Sequence, residues 1–373
     1  MKRFEAIWQV QTSTAATPSA STDFGSVTVT ASRGVDWQVT SDLHFFSLDS
    51  IVMKDFARPL PLRFFRYLVA FLDYWVTGTA FSIFAKSWRF GLYFLYPFVA
   101  TALLFGASWF LADVALRALG VMWPGLPLLI ALLALWPLLA TLGKRWAVLH
   151  LMDLWSFSRE YLRGRRPEAE ALMQRFAAIV AETARTGTFD EIVLVGHSTG
   201  GGLILDIMSR GLQVDPDLAG RSPEVSLLTL GSTALKFGLH PAAKAFRQRV
   251  QALVDEQRLK WVEVQCMTDV INFFRTDPVK AMKLVPRKAG AQPFPAVKKV
   301  RIRSIVDDAT YRRIRRRPFR LHYQFIYANS RQRQFYDFYR ICFGPIPLSV
   351  ASRKPKKGAD GSLENRTTGG DRL

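Results

Sequence analysis

The spacing of apolar positions changes several times along the chain, and each change predicts an element. Residues 192–201, "IVLVGHSTGG", open on a continuous aliphatic, β-branched run, the pattern of a strand covered on both faces in a parallel sheet. Behind it, Leu203, Ile207 and Met208 in "GGLILDIMSR" stand at helical spacing. Ahead of it, Leu172, Phe176, Ile179 and Val180 recur at i, i+4, i+7 and i+8, between Pro167 in a first-turn position and Gly187 at a C-terminal stop. The predicted order is helix, strand, tight turn, helix. Further strands are predicted in "EVSLLTLGS" (224–232), "KWVEVQC" (260–266) and "VRIRSIV" (300–306), which with "EIVLV" make a parallel sheet. Near the start, "RFEAIWQV" and "SVTVTA" read as short strands around a Ser/Thr/Pro loop.

A different pattern lies between. No charge occurs from Phe90 to Ala112 or from Ala118 to Gly143, and each run exceeds the roughly 20 residues that span a bilayer. Only Asp113 and Arg117 interrupt them. Pro97, Pro124, Pro127 and Pro137 are tolerated in transmembrane helices, and Tyr93, Tyr96, Trp109 and Trp123 suit interfacial anchoring. The competing reading is a pair of core helices. Lys86 and Arg89 before the hairpin and Lys144 and Arg145 after it place both flanks in the cytoplasm by the positive-inside rule. Residues 1–30 hold no apolar signal-peptide core, so the remainder of the chain is expected on the cytoplasmic side of a bacterial inner membrane. The segment before the hairpin, with "RFFRYLVAFLDYW" broken by Arg66 and Asp73, is expected to lie on or just under the membrane surface, or to be a core helix.

Composition changes the picture in two places. At 373 residues and 49% hydrophobic, the chain can bury a full catalytic core beside the hairpin. The net charge of +20 concentrates between Arg301 and Arg320, where eight arginines face only Asp307 and Asp308. An anionic lipid surface is the expected partner, a merely solvated basic face is the alternative, and no nucleic-acid motif accompanies the run. Cys266 and Cys342 have no metal-ligand company, so no metal and no cofactor is expected. The polar tail from Arg353 is expected to be disordered.

Gly196-His197-Ser198-Thr199-Gly200 is short enough to arise by chance, but a strand before it and a helix after it give it a mechanical meaning. Such a turn strains the serine backbone and lifts its hydroxyl above the sheet, with glycines letting strand and helix approach. With those flanks, the "GHSTGG" stretch resembles the lipase/esterase elbow of the α/β-hydrolase superfamily, over residues 150–343. The resemblance implies a Ser, acid, His order, the acid after the second strand beyond the elbow and the His after the last strand. Asp269 and Asp277 both follow that second strand; Asp269, three residues past its end, is favoured as the acid, with helix capping as its bland alternative. His322 is the one histidine after "VRIRSIV". The Thr199 amide supplies one oxyanion donor, but no His-Gly or Gly-Gly marks a second before residue 196. That donor is left to an unmarked loop in residues 1–60 or to sequence outside this chain, or catalysis is impaired.

The expected architecture is therefore α/β, a mostly parallel hydrolase-like sheet with an inserted transmembrane hairpin. Its parts are N-terminal strands of that sheet (1–55), an interfacial segment (56–89), the hairpin (90–143), the catalytic core (144–345) and a basic tail (346–373). The expected activity is hydrolysis of a lipid or other amphiphilic ester through an acyl-enzyme on Ser198, and the alternative is a catalytically silent membrane scaffold or partner-binding protein of the same fold.

Overall fold

Three aliphatic runs become neighbouring strands, β4 (Glu191–His197), β5 (Glu224–Leu230) and β6 (Lys260–Cys266), and β7 (Ala296–Val300) completes a parallel sheet of order β4-β5-β6-β7. The structure is a computed structural model and describes residues 1–21, 23–256, 258–286, 294–332 and 336–351. The tail read as disordered lies outside them. Helix α8 (Pro167–Thr186) precedes β4 and stops before Gly187, whose φ of +64° suits a glycine stop. Helix α9 (Thr199–Val214) follows β4, and α10 (Leu235–Gly238) and α11 (Lys244–Asp255) lie between β5 and β6. The core on β5, β6 and β7 is aliphatic, with Leu228, Leu230, Val262 and Val264 all nearly fully buried.

The run "VRIRSIV" divides. Its strand ends at Val300, where pairing with Cys266 stops, and α13 (Ile302–Ile305) turns Ile302 and Ile305 into the same core at i, i+3 spacing. The first 50 residues differ more. "RFEAIWQV" contains not a strand but α1 (Lys2–Trp8), because Phe4 and Trp8 share one helical face: Phe4 is buried, and Trp8 Nε1 donates to Asp337 Oδ2 at 3.0 Å. After it, β1 (Gln11–Ser21), β2 (Phe24–Arg33) and β3 (Trp37–Phe46) form a separate antiparallel meander. Its own small core of Val29, Ala31, Phe4, Val10 and Phe343 satisfies its apolar face, so it is not part of the parallel sheet. Among the described residues β4 is therefore an edge strand, and the strands that the hydrolase resemblance implies beyond it are not supplied by residues 1–50.

The chain divides into two compact units. One holds Met1–Ser50, Glu168–Gly238 and the chain from Lys244 on; the other holds Ile51–Pro167 and Leu239–Ala243. The second unit contains α2 (Asp49–Phe56, from Ile51), α3 (Leu60–Val76), α4 (Thr79–Lys86), α5 (Trp88–Ala118), α6 (Leu126–Leu138, prolonged to Gly143 by a π turn) and α7 (Val148–Leu162). Residues 144–167 thus belong with the hairpin and not with the sheet. Charge pairing explains it: Arg63 Nη2 of α3 donates to Asp153 Oδ2 of α7 at 2.5 Å, and Arg66 grips Glu160 with two bonds of 2.7 Å. Helices Trp88–Ala118 and Leu126–Gly143 are long and apolar enough to cross a membrane, and only 6% of the most apolar window of the first is buried.

Candidate active site

Ser198 joins β4 to α9 with φ 57° and ψ −121°, a left-handed conformation that a non-glycine residue adopts only when its surroundings hold it there. Three backbone bonds do so. Ser198 N–H donates to Leu230 O, and Ser198 O accepts from Gly201 N–H and Thr233 N–H, all at 3.0 Å. The end of β5 and the loop after it therefore grip the turn from the side. A methyl group on Gly196 would lie 2.5 Å from Gly200 O and 2.8 Å from Gly201 Cα, so strand and helix meet too closely for any side chain. Gly200 differs: nothing lies within 4 Å of a Cβ there, and the close helix contact falls instead on Gly201 against Ser232.

Asp269 and His322 are brought together from 53 residues apart, with His322 Nδ1 2.7 Å from Asp269 Oδ2. Both side chains are buried, at 3% and 0% exposure. A carboxylate oxygen only accepts, so Nδ1 carries the proton; Asp269 Oδ1 accepts from Ile271 N–H at 2.9 Å, which fixes the carboxylate plane. His322 Nε2 is buried and has no hydrogen-bond partner among the described residues. Ser198 Oγ and His322 Nε2 are therefore not hydrogen-bonded to each other. The histidine ends α15 (Pro318–His322), and its Cε1 would lie 3.1 Å from a Cβ on Gly231, the residue after β5. Gly231 has φ +51°, so conformation and space both require glycine there.

Asp277 goes elsewhere. It caps α12 (Pro278–Ala281), its Oδ1 accepting from Val279 N–H at 2.9 Å and Lys280 N–H at 3.2 Å. His197 sits beside the pair, its ring centre 4.3 Å from that of His322. Burial pushes His197 down to about 3, so its ring is neutral, and Nε2 donates to the His322 carbonyl at 3.1 Å. The elbow's second residue therefore holds the backbone of His322. Thr199 opens α9, where the first amides have no partner within the helix and the helix dipole is positive.

Lys236 is a site residue that sequence reasoning missed. It lies in α10, is 2% exposed, and its Nζ donates to Thr199 Oγ1 at 3.0 Å. Burial pushes the ammonium down to about 7. The one sequence signal was a lysine inside the otherwise apolar stretch "TALKFGL", which alone names no partner.

The arginine-rich segment leads into this site. All eight arginines between Arg301 and Arg320 are exposed, while Asp307 caps α14 (Asp308–Ile314) and Asp308 pairs with Arg331 at 3.2 Å. Tyr323, next to His322, is also exposed and faces His197 at 5.4 Å. Among the described residues no cluster of His, Cys, Asp or Glu could hold a metal ion. No family model, curated protein or solved structure matches the chain.

Proposed function

We propose that the protein is a membrane-anchored serine hydrolase acting on a carboxylic ester of an amphiphilic substrate. The observation that carries this is the His322–Asp269 pair, buried and bonded through Nδ1 with Nε2 bare, in the same unit as a serine held at positive φ. Ser198 Oγ attacks the ester carbonyl and gives its proton to His322 Nε2. Asp269 holds the tautomer and stabilises the imidazolium. The tetrahedral oxyanion takes the Thr199 N–H, and the leaving alkoxide recovers the proton from His322 as the acyl-enzyme forms. Water then repeats the steps in reverse, releasing the acid and restoring Ser198.

An oxyanion needs more than one donor, and the sequence marks no second. In this reading Lys236 compensates electrostatically: its ammonium, one side chain removed from the oxyanion through Thr199, adds positive field in a buried place where screening is weak. Helices α5 and α6 anchor the chain, and Lys86, Arg89, Lys144 and Arg145 put the flanks, and Ser198 with them, on the cytoplasmic side. The exposed arginines favour an anionic lipid surface near His322, and hence a membrane-resident ester. Hydrolysis of p-nitrophenyl esters of graded acyl length by the full-length protein in micelles tests this. Activity that rises with acyl length and vanishes in Ser198→Ala supports it; equal activity of the variant defeats it.

The unmarked second oxyanion donor favours one other reading, a silent scaffold. It predicts no ester turnover and wild-type membrane binding by Ser198→Ala.

A further inference from the structure

Helix α3 is built inside out. Its buried residues are Arg63, Arg66, Tyr67, Ala70 and Tyr74, at i, i+3, i+4, i+7 and i+11. Its opposite face exposes Leu62, Phe65, Leu68, Leu72 and Val76, the last at 84%. A helix facing water turns its charges outward and its apolar stripe inward. Here the charges are spent inside the unit: Arg63 and Tyr67 on Asp153, Arg66 on Glu160, and Asp73 on Arg159, Arg163 and His240. That is the arrangement of a helix in hydrocarbon, where ionisable groups face the bundle interior and pair with one another.

The break after α3 suits the same medium. Helices α3 and α4 meet at 70°. The turn is made by Gly78, whose φ of +73° favours glycine. Thr77 Oγ1 donates to Asp73 O at 2.6 Å, Gly78 N–H to Trp75 O at 3.0 Å, and Ser82 N–H and Oγ both donate to Gly78 O. Several of the polar groups freed by the break are thus satisfied inside the segment, as a low-dielectric surrounding favours. Helix α3 also packs directly against the first candidate span, Phe71 of α3 lying on Phe98 of α5 with ring centres 4.6 Å apart.

Chain topology then decides whether this bent pair crosses. The sheet-bearing unit gives up the chain at Ser50 and takes it back at Glu168, and Phe46 and Phe176, on either side of the excursion, stack at 4.4 Å. Both ends of the excursion therefore lie on one side of the bilayer, and the number of crossings is even. Helices α5 and α6 account for two. We propose that α3 and α4 form a re-entrant element, embedded in the acyl region by the Leu62–Val76 face and returning to the side it came from. Its occupant is lipid, and the segment is immersed more deeply than a helix lying on the surface.

This rests on the reading of α5 and α6 as membrane anchors, and the test separates the two. A benzophenone amino acid is placed in the full-length protein at Leu68, at Val76, at Leu132 of α6 and at Val35, an exposed residue of the sheet-bearing unit. Each variant is reconstituted in phosphatidylethanolamine/phosphatidylglycerol vesicles, irradiated and weighed by mass spectrometry. Lipid adducts at Leu68, Val76 and Leu132, with none at Val35, are expected. Adducts at Leu132 but none at Leu68 and Val76, or dimer adducts there in place of lipid, overturn the re-entrant element while the anchor stands. Loss of adduct at Leu132 removes the anchor itself. Protease-accessible tags at the two chain ends complete the test: cleavage of both from one side is expected, and cleavage from opposite sides overturns the proposal. None of these readouts depends on Ser198.

Discussion

The two glycines of the elbow motif should respond to alanine with opposite signs. In Gly196→Ala the new methyl carbon meets Gly200 O at 2.5 Å, Gly200 C at 2.7 Å and Gly201 Cα at 2.8 Å, against 3.4 Å where ordinary contact begins. All three atoms are backbone, so no side chain can swing aside, and strand and helix must separate. Overpacking of a well-filled interior costs about 1–3 kcal/mol and occasionally more, and a backbone clash belongs at the upper end of that range. For a unit of this size about 3 kcal/mol lowers the melting temperature by roughly 6–12 °C. Gly200→Ala meets nothing within 4 Å and replaces a helical glycine, which gains about 0.5–1 kcal/mol. Thermal unfolding followed by circular dichroism in detergent reads both. A Gly196→Ala protein melting with the wild type, or a Gly200→Ala protein melting well below it, refutes the close strand-to-helix approach on which the elbow depends.

Asp269→Asn should lower ester turnover by about 10⁴-fold, as loss of the orienting carboxylate does in a triad, whereas Asp277→Asn should leave both turnover and the helix cap intact, since an asparagine oxygen accepts the same two amides; initial rates separate them. Lys236 is charged below about pH 7 and neutral above it, so the rate of Ser198 modification should fall above pH 7 relative to Lys236→Arg, which stays charged, and Lys236→Met should be slowed about tenfold or more at pH 6. Identical pH profiles of the three proteins remove the electrostatic role of Lys236. Glu263 of β6 is buried, and burial pushes its carboxyl from 4.5 up to about 8. Between those values the folded protein holds a proton that the unfolded chain has released, so stability falls as pH rises, by about 1.4 kcal/mol per unit, and levels off above about pH 8. Glu263→Gln should remove that contribution, about 1.4 kcal/mol per pH unit, from the slope of the wild type in urea unfolding measured from pH 5 to pH 8.

Strands β4, β5 and β6 and helix α8 were legible because each carries its own local signal: β-branched runs for the strands, Pro167 and Gly187 for the ends of the helix. Which sheet a strand joins has no such signal. "SVTVTA" alternates equally well in a meander or in a hydrolase sheet, and only its packing on Phe4, Val10 and Phe343 decides. α1 carries no distinct signal, because eight residues with apolar positions at 4 and 8 satisfy a helix face while reading equally as a β-rich run. At the candidate site, the chain order points to Asp269 or Asp277 as the partner of His322, but the choice between them turns on which carboxylate caps a helix, a matter of backbone geometry after the strand. Lys236 was invisible for a similar reason: its partner Thr199 is 37 residues away, and nothing local announces that a lysine will be buried. The inverted polarity of α3 could not be read either. Arg66 and Asp73 looked like interruptions of an apolar stretch, while their partners on α7 lie about 90 residues further on.

Whether Ser198 is an activated nucleophile is settled most directly by covalent labelling. The full-length protein in detergent is treated with a fluorophosphonate, digested and sequenced by mass spectrometry. The adduct is expected on Ser198, at a rate sharply reduced in His322→Ala and with no label in Ser198→Ala. An unmodified Ser198 under conditions that label a known serine hydrolase in the same tube, or an adduct confined to another residue, contradicts the account.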